Sequence, residues 1–332
     1  MANQFRRKKL KNINNTGFTN NSNVEGGRLT NKDGSINVQK TGRPFWERIS
    51  MFHTLLRMPW WKFLLSIFAV YFVINLVFAT LYVVIGVHNL TGIAGHADDL
   101  LNGFEQAFFF SAQTLTTVGY GHISPLGLAA NVVASIESFV GILSFALVTG
   151  LLYGRFARPQ AFMMFSDNVL VAPHKGKRAL MVRLATYKNN HITDVEAIAT
   201  MAMHMREADG RQVTRFFRLE LEITKIASMA LSWTLVHLID EKSPLFGMGH
   251  DEIMDADIEI LYNMKGFDDH FSNIVQQRTS YTVSEMVYGA KFLPMFHKSD
   301  DGNTTVLELD KINLHERVDV PEPVDIDELI KS

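Results

Sequence analysis

Thr116-Thr117-Val118-Gly119-Tyr120-Gly121 is the stretch on which the reading of the whole chain turns. Glycine alternates here with larger residues, so the backbone can take conformations that a Cβ would resist and line up successive carbonyls along one axis. A row of carbonyl oxygens is what replaces the water around a dehydrated cation. The ligands would be the carbonyls of Thr117, Val118, Gly119 and Tyr120 together with the Thr117 hydroxyl, with Gly121 closing the run. One chain supplies only one wall of such a site, so the reading requires a closed ring of subunits. By itself the hexapeptide also fits a surface turn that contains Gly-x-Gly. Its flanks separate the two.

Charge is segregated along the chain. Residues 1–62 hold twelve Lys/Arg against three acids, residues 63–154 hold none against four, and residues 155–332 hold twenty against twenty-seven. Ninety-two residues without a basic side chain, bounded by Lys62 and Arg155, read as membrane. Residues 63–87 are an apolar run interrupted only by Ser66, Asn75 and Thr80; as a helix they cover about 37 Å, enough to cross a bilayer with some tilt. The outer helix is placed at 60–87, with Trp60, Trp61 and Lys62 as anchors at the inner headgroups. A polar turret over 88–101 precedes a pore helix at 102–115, too short to span. A half-length apolar helix followed by Gly-rich backbone is a re-entrant loop, tolerated at membrane depth where protein encloses it around a wet cavity. The negative end of its dipole faces the 116–121 filter and favours a cation. The inner helix is placed at 128–156. With basic residues only outside the block, both termini are expected on the cytoplasmic side of a plasma membrane, which makes the chain multi-pass with two spans.

On the inner helix Ser138, Ile142, Phe145, Thr149 and Tyr153 share one face. That face either lines the pore, with Tyr153 as an aromatic constriction near the cytoplasmic end, or packs against other helices. Glu137 is the only ionised residue inside either span; it is expected to hydrogen-bond behind the filter or to face the aqueous cavity. No helix carries Arg at every third position, which argues against voltage sensing. Before the membrane block, residues 1–43 are rich in Asn, Gly, Lys and Arg and are expected to be disordered, with Arg6–Lys9 a solvated basic tail rather than a nucleic-acid site. No apolar stretch of signal-peptide type precedes Pro44. Residues 44–58 place Phe45, Ile49, Phe52 and Leu56 at helical spacing, as an interfacial helix does.

From 159 to 321 the texture changes to short apolar or alternating segments separated by Gly, Asp and Asn, including the hairpin signals Asp209-Gly210 and Asp301-Gly302. This predicts an all-β, antiparallel immunoglobulin-like sandwich outside the membrane, followed by a tail at 322–332. There is no Gly-x-Gly-x-x-Gly, His-Glu-x-x-His or Gly-x-Ser-x-Gly, and no cysteine for a disulfide or thiolate chemistry. An enzyme, an organic cofactor and a nucleic-acid partner are therefore not expected. Twelve histidines raise pH gating without singling one out.

The 116–121 string resembles a potassium-channel filter. Val236-His237-Leu238-Ile239-Asp240-Glu241-Lys242-Ser243-Pro244-Leu245 resembles the His-x-Ile-Asp-x-x-Ser-Pro-Leu signature of inward-rectifier potassium channels. Arg57–Trp61, Met181-x-Arg183, Val195-Glu196-Ala197, Ala256–Ile260 and Arg278–Tyr281 are similar to that family too. Gly154–Pro159 looks closest to its prokaryotic, KirBac-like branch. The resemblance implies a homotetramer conducting K+ held at Thr117, Val118, Gly119 and Tyr120, gated at the inner-helix crossing. It implies that Glu196 faces the cytoplasmic pore and attracts cations and polyamines, and that 270–277 narrow that pore. Arg155 and Arg158, with Arg57, Lys62 and Lys188, would meet anionic or phosphoinositide lipid. Phe145 stands where strong rectifiers are acidic, which implies weak polyamine rectification; Mg2+ and Ba2+ are the other expected blockers. Gln113 and Ile123 replace a charged pair that braces the filter in relatives, leaving Gln113 and Glu137 as filter support. The competing function is a lipid- or ligand-sensing membrane receptor with a vestigial pore.

Overall fold

The computed structural model describes residues 28–39, 41–42, 44, 50–93, 100–206 and 212–323. The chain divides into a unit of residues 41–158 and a unit formed by residues 1–40 together with 159–332.

The first unit is helical: α1 (Met51–Arg57), α2 (Trp60–Ile85), α3 (Leu100–Leu115) and α4 (Gly127–Phe156). Ser50 caps α1 by accepting the His53 N–H, and Pro59, which has no N–H to lose, stands directly before α2. Gly86, at φ 104°, stops α2, and a Cβ there would strike the His88 ring. α2 and α4 are long and apolar enough to cross a membrane. Leu90–Thr91 pair antiparallel with Ser124–Pro125 and close the loop that holds α3 and the filter. The core is built from α2, α3 and α4: Phe78, Ala79, Tyr82, Ala107, Phe110 and Ala134, joined by Leu90 and Ile123. Ile123, read from sequence as a missing brace, is thus a buried packing residue.

The second unit is a β-sandwich. Its strands are β1 (Met163–Phe165), β2 (Val169–His174), β3 (Lys177–Thr186), β4 (Ile192–Arg206), β5 (Gln212–Leu219), β6 (Lys225–Ser228), β7 (Ser232–Leu238), β8 (Ile258–Asp268), β9 (Asn273–Thr282) and β10 (Met286–Tyr288). One sheet has the order β9-β8-β4-β5 with β6 also on β4; the other has β10-β2-β3-β1 with β7 also on β3. Their inner faces meet over Val171, Leu180, Val182, Leu184, Met201, Leu219, Leu235, Ile260, Tyr262 and Tyr281, all nearly inaccessible to solvent. All pairings within these two sheets are antiparallel except β10 with β2, which run parallel.

Residues 28–38 depart from the disorder expected over 1–43. They form a hairpin that docks on the β4–β8–β9 sheet of the second unit. Thr30 bridges Ile36, and Gly34 turns the chain at φ 82°, a conformation that Gly accepts without steric cost. Leu29 is buried against Ala202, Phe216 and Leu261. The Leu29 and Thr30 N–H groups donate to the Glu259 carboxylate at 2.7 and 3.0 Å. Arg28 reaches the Ser280 carbonyl at 2.8 Å and Glu285 at 2.5 Å, while Lys32 lies 3.5 Å from the Tyr281 ring centre. Burial works against ionisation of Glu285, yet the Thr282 N–H, Lys32 and Arg28 hold its carboxyl below the ordinary range. One leucine and a set of charge-assisted bonds thus order a segment whose composition alone reads as solvated. The expected 44–58 helix is helical over Met51–Arg57, and residues 45–49 lie outside the described residues.

Candidate functional site

The filter residues alternate in backbone hand. Thr117, Gly119 and Gly121 have φ of 61°, 53° and 80°, while Val118 and Tyr120 between them do not take positive φ. Alternation of this kind points successive carbonyls the same way, as a column of oxygens requires. Nothing crowds the Cβ positions of Gly119 and Gly121, so glycine is required there by conformation and not by space. Thr117 is the exception that sequence reasoning did not foresee: a β-branched residue held in left-handed backbone, at a cost of about 1–3 kcal/mol that the surroundings must offset.

Those surroundings begin at the end of α3. The Gln113 carbonyl accepts the Val118 N–H at 2.9 Å and the Gly119 N–H at 3.3 Å, and the Thr114 carbonyl accepts the Thr117 N–H at 3.0 Å. Gln113 therefore supports the filter through its backbone oxygen. Behind α3 lies Gly141 of α4, where an added Cβ would sit 2.0 Å from the Leu115 carbonyl oxygen. Ala130, Ala134 and Gly141 form the small-residue stripe that lets α4 approach.

Glu137 is in the same stripe and fully buried. It accepts the Tyr82 hydroxyl of α2 at 2.6 Å and the Ser111 hydroxyl of α3. Ser111 Oγ also lies 3.0 Å from Asn75 Oδ1, and Asn75 donates to the Tyr71 carbonyl at 2.8 Å. The carboxylate thus ties α2, α3 and α4 together.

The opposite side of α4 is uncovered within the chain. Ile142, Phe145, Thr149 and Tyr153 are exposed and Ser138 partly so; Tyr153 is 74% accessible. The Thr149 hydroxyl is turned back onto the Phe145 carbonyl at 2.8 Å.

The basic residues assigned to lipid fall into two groups. Arg57, Lys62, Arg158 and Lys188 are exposed, with Lys188 Nζ 4.1 Å from the Phe162 ring centre. Arg155 is different and corrects the expectation for it. Its guanidinium donates to the carbonyls of Leu55 at 2.5 Å and Met58 at 2.7 Å and stacks on Trp60 and Phe63. It holds the last turn of α1 against α4 and has those donors occupied by protein, as suits a cation at a helix C-terminus.

In the sandwich, Glu196 is exposed on β4. Strand register sets it opposite Lys265 of β8 and opposite Lys225 of β6. A bulge between Lys265 and Phe267, with Asp194 at φ 49°, fixes that register. The loop at 268–272 is anchored from within: buried Asp268 accepts the N–H groups of His270 and Phe271. The 236–245 signature holds itself together. His237 Nδ1–H donates to the Glu220 carbonyl at 2.7 Å, and its Nε2 lies 2.9 Å from Ser243 Oγ, which in turn accepts the Leu245 N–H. Burial lowers the pKa of His237. Sequence reasoning missed the 28–38 hairpin, although Asp33-Gly34 between Leu29-Thr30 and Ile36–Val38 is the same hairpin signal it used elsewhere.

Residues 163–328 match the family described as inward rectifier potassium channel C-terminal domain, and residues 70–157 match the family described as ion channel. The chain is 31% identical to the inward rectifier potassium channel Kirbac3.1 of Paramagnetospirillum magnetotacticum, over 86% of this chain and 95% of that protein. It is 27% identical to the ATP-sensitive inward rectifier potassium channel 12 of Gallus gallus, over 89% of this chain and 72% of that one. It is 31% identical to the inward rectifier potassium channel 4 of Homo sapiens, over 59% of this chain and 46% of that protein.

Proposed function

The chain belongs to the inward-rectifier potassium channel family, and from that premise we propose that four copies enclose a pore through which K+ passes passively. The observation that carries the reading is the alternating backbone of Thr117–Gly121, whose carbonyls would meet at a common axis and take the place of the ion's hydration shell. The uncovered α4 face supports it: Ser138, Ile142, Phe145, Thr149 and Tyr153 would line the inner cavity, and Tyr153 would form the constriction that opens and closes it. With no carboxylate at Phe145, block by polyamines or Mg2+ is weak, and Ba2+ acts at the filter. Both termini face the cytoplasm of a plasma membrane. Anionic or phosphoinositide headgroups meet Arg57, Lys62, Arg158 and Lys188, while Arg155 relays α1 movement to α4 through the bonds it makes there.

Reconstitution in liposomes tests the reading. Barium-sensitive uptake of rubidium is expected, and Tyr153→Ala should raise the basal uptake severalfold. No uptake at any phosphoinositide content would instead support a receptor whose pore is vestigial. Equal uptake by wild type and Tyr153→Ala would remove the gate from Tyr153.

A further inference from the structure

Three side chains with complementary chemistry meet at one end of the sheet that holds β4. That strand begins at Ile192, with β6 paired to it on one side and β8 on the other. Register sets Thr193 opposite Ser228, the last residue of β6, and Ile192 opposite Asp268, the last residue of β8. Two backbone bonds fasten these ends. The Met229 N–H donates to the Ile192 carbonyl at 2.9 Å, and the Asp269 N–H donates to the His191 carbonyl at 3.2 Å. His191 therefore stands between Ser228 and Asp269. Its Nδ1 lies 2.6 Å from Asp269 Oδ2, and its Nε2 lies 3.0 Å from Ser228 Oγ. A carboxylate can only accept, so the neutral ring carries its proton on Nδ1 and leaves Nε2 to accept the Ser228 O–H. Asp268 stiffens the support: it is buried, and its carboxylate accepts the His270 and Phe271 N–H groups and the Asn190 side-chain amide. The row is open to solvent, with the His191 and Asp269 side chains 62% and 49% accessible and Ser228 partly exposed.

A hydroxyl, an imidazole within hydrogen-bond reach and a carboxylate on the far ring nitrogen are the parts of an activated nucleophile, recognised by geometry whatever their order in the chain. We propose that Ser228 is an acyl-acceptor site, a serine that His191 activates for covalent modification. In the step, Ser228 Oγ attacks the carbonyl carbon of an activated acyl donor, a thioester or an acyl phosphate. The Oγ–H proton passes to His191 Nε2. The new bond joins Oγ to the acyl carbon, the bond to the leaving group breaks with its electron pair, and His191 then returns the proton to the departing thiolate or phosphate. Asp269 is a positioning residue, which holds the ring in the tautomer that this transfer needs. One part of a hydrolase is absent. The Met229 N–H, the backbone donor next after the nucleophile, is spent on the Ile192 carbonyl and is not free to hold an oxyanion. Only donors with good leaving groups therefore react, and the acyl-serine persists because its hydrolysis would need the same missing support. The site lies wholly within the sandwich and does not depend on the pore.

The test uses p-nitrophenyl acetate on the full-length protein in detergent, with the acetyl group located by peptide mass spectrometry. Ser284, an exposed serine bonded only to the Thr282 hydroxyl, is the internal control. Ser228 should acetylate roughly a hundredfold faster than Ser284, and His191→Gln should remove most of that advantage, as loss of a general base does. Asp269→Asn should slow the reaction about tenfold, and adding it to His191→Gln should slow it no further, because a residue acting through the ring has no effect once the ring is gone. Ser228→Ala should leave that peptide unlabelled. The proposal is overturned if Ser228 reacts no faster than Ser284, if His191→Gln leaves its rate unchanged, or if the acetyl group is shed as fast as it is gained.

Discussion

The helical unit and the sandwich solve the problem of burial differently. The sandwich closes its own core: two sheets face each other and leave inward residues such as Leu180, Met201 and Tyr281 with no accessible surface. The helical unit buries one stripe of α4, Ala130, Ala134, Glu137 and Gly141, and leaves Phe139, Ile142, Phe145 and Leu147 uncovered. A water-soluble protein could not keep that face, because exposed apolar area on this scale drives association. What differs is the solvent each unit was selected for. The sandwich answers to water, and the helical unit answers to lipid.

Substitutions that touch only one unit can break this contrast or sharpen it. The largest effect is expected from Gly141→Ala. Its methyl group would meet the Leu115 carbonyl at 2.0 Å, so α3 and the filter must shift, and rubidium uptake should fall more than tenfold while the sandwich keeps its resistance to limited proteolysis. Loss of both together would show that the units are not independent. Glu137→Ala comes next. It strips the acceptor from Tyr82, at about 1–3 kcal/mol for a buried group left unpaired, and leaves Ser111 only the Asn75 amide oxygen. Its effect should appear as lower thermal stability of the detergent-solubilised channel and shorter openings. Glu137→Gln should cost less, and unchanged selectivity and open lifetime in that variant would refute the bracing role.

Smaller effects belong to the sandwich. Arg28→Ala removes the bonds to Ser280 and Glu285, and should weaken hairpin docking by about 1.5–3 kcal/mol, the range for charge-assisted hydrogen bonds. Faster hydrogen exchange at Leu29 and Thr30, with β3 and β7 unchanged, is the expected signature. The smallest effect is a pH dependence. Burial lowers the pKa of His237, so below the unfolded histidine value of about 6.5 the unfolded chain takes up a proton that the folded one refuses. Stability is therefore complete above that pH and declines as pH falls through it. Hydrogen exchange in β7 should accelerate between pH 7.5 and 5.5, and the slope should flatten in His237→Gln.

The membrane spans were legible because a bilayer tolerates no ambiguity: a long apolar run without charge has few other uses. The filter was legible for a related reason, since glycine at alternate positions advertises left-handed backbone. Thr117 adopts that backbone with no residue type to announce it. Arg155 was misjudged because a basic residue at a membrane boundary suits lipid and a helix C-terminus equally, and only the position of the Leu55 and Met58 carbonyls decides. Lys265 could not be linked to Glu196 from sequence, since a one-residue bulge governs which side chains stand opposite each other. The 28–38 hairpin was hidden by its company: its Asp33-Gly34 turn sits in a run of polar residues, and the apolar surface it needs lies more than 160 residues away at Ala202, Phe216 and Leu261.

The His237–Ser243 bond carries a consequence for the autonomy of the sandwich. Every partner of that histidine lies in the sandwich: the Glu220 carbonyl, the Ser243 hydroxyl and, through it, the Leu245 amide. No ion need ever pass for those bonds to be worth keeping. The 236–245 string therefore works for the sandwich itself, and its bonds hold whether or not a pore stands beside it.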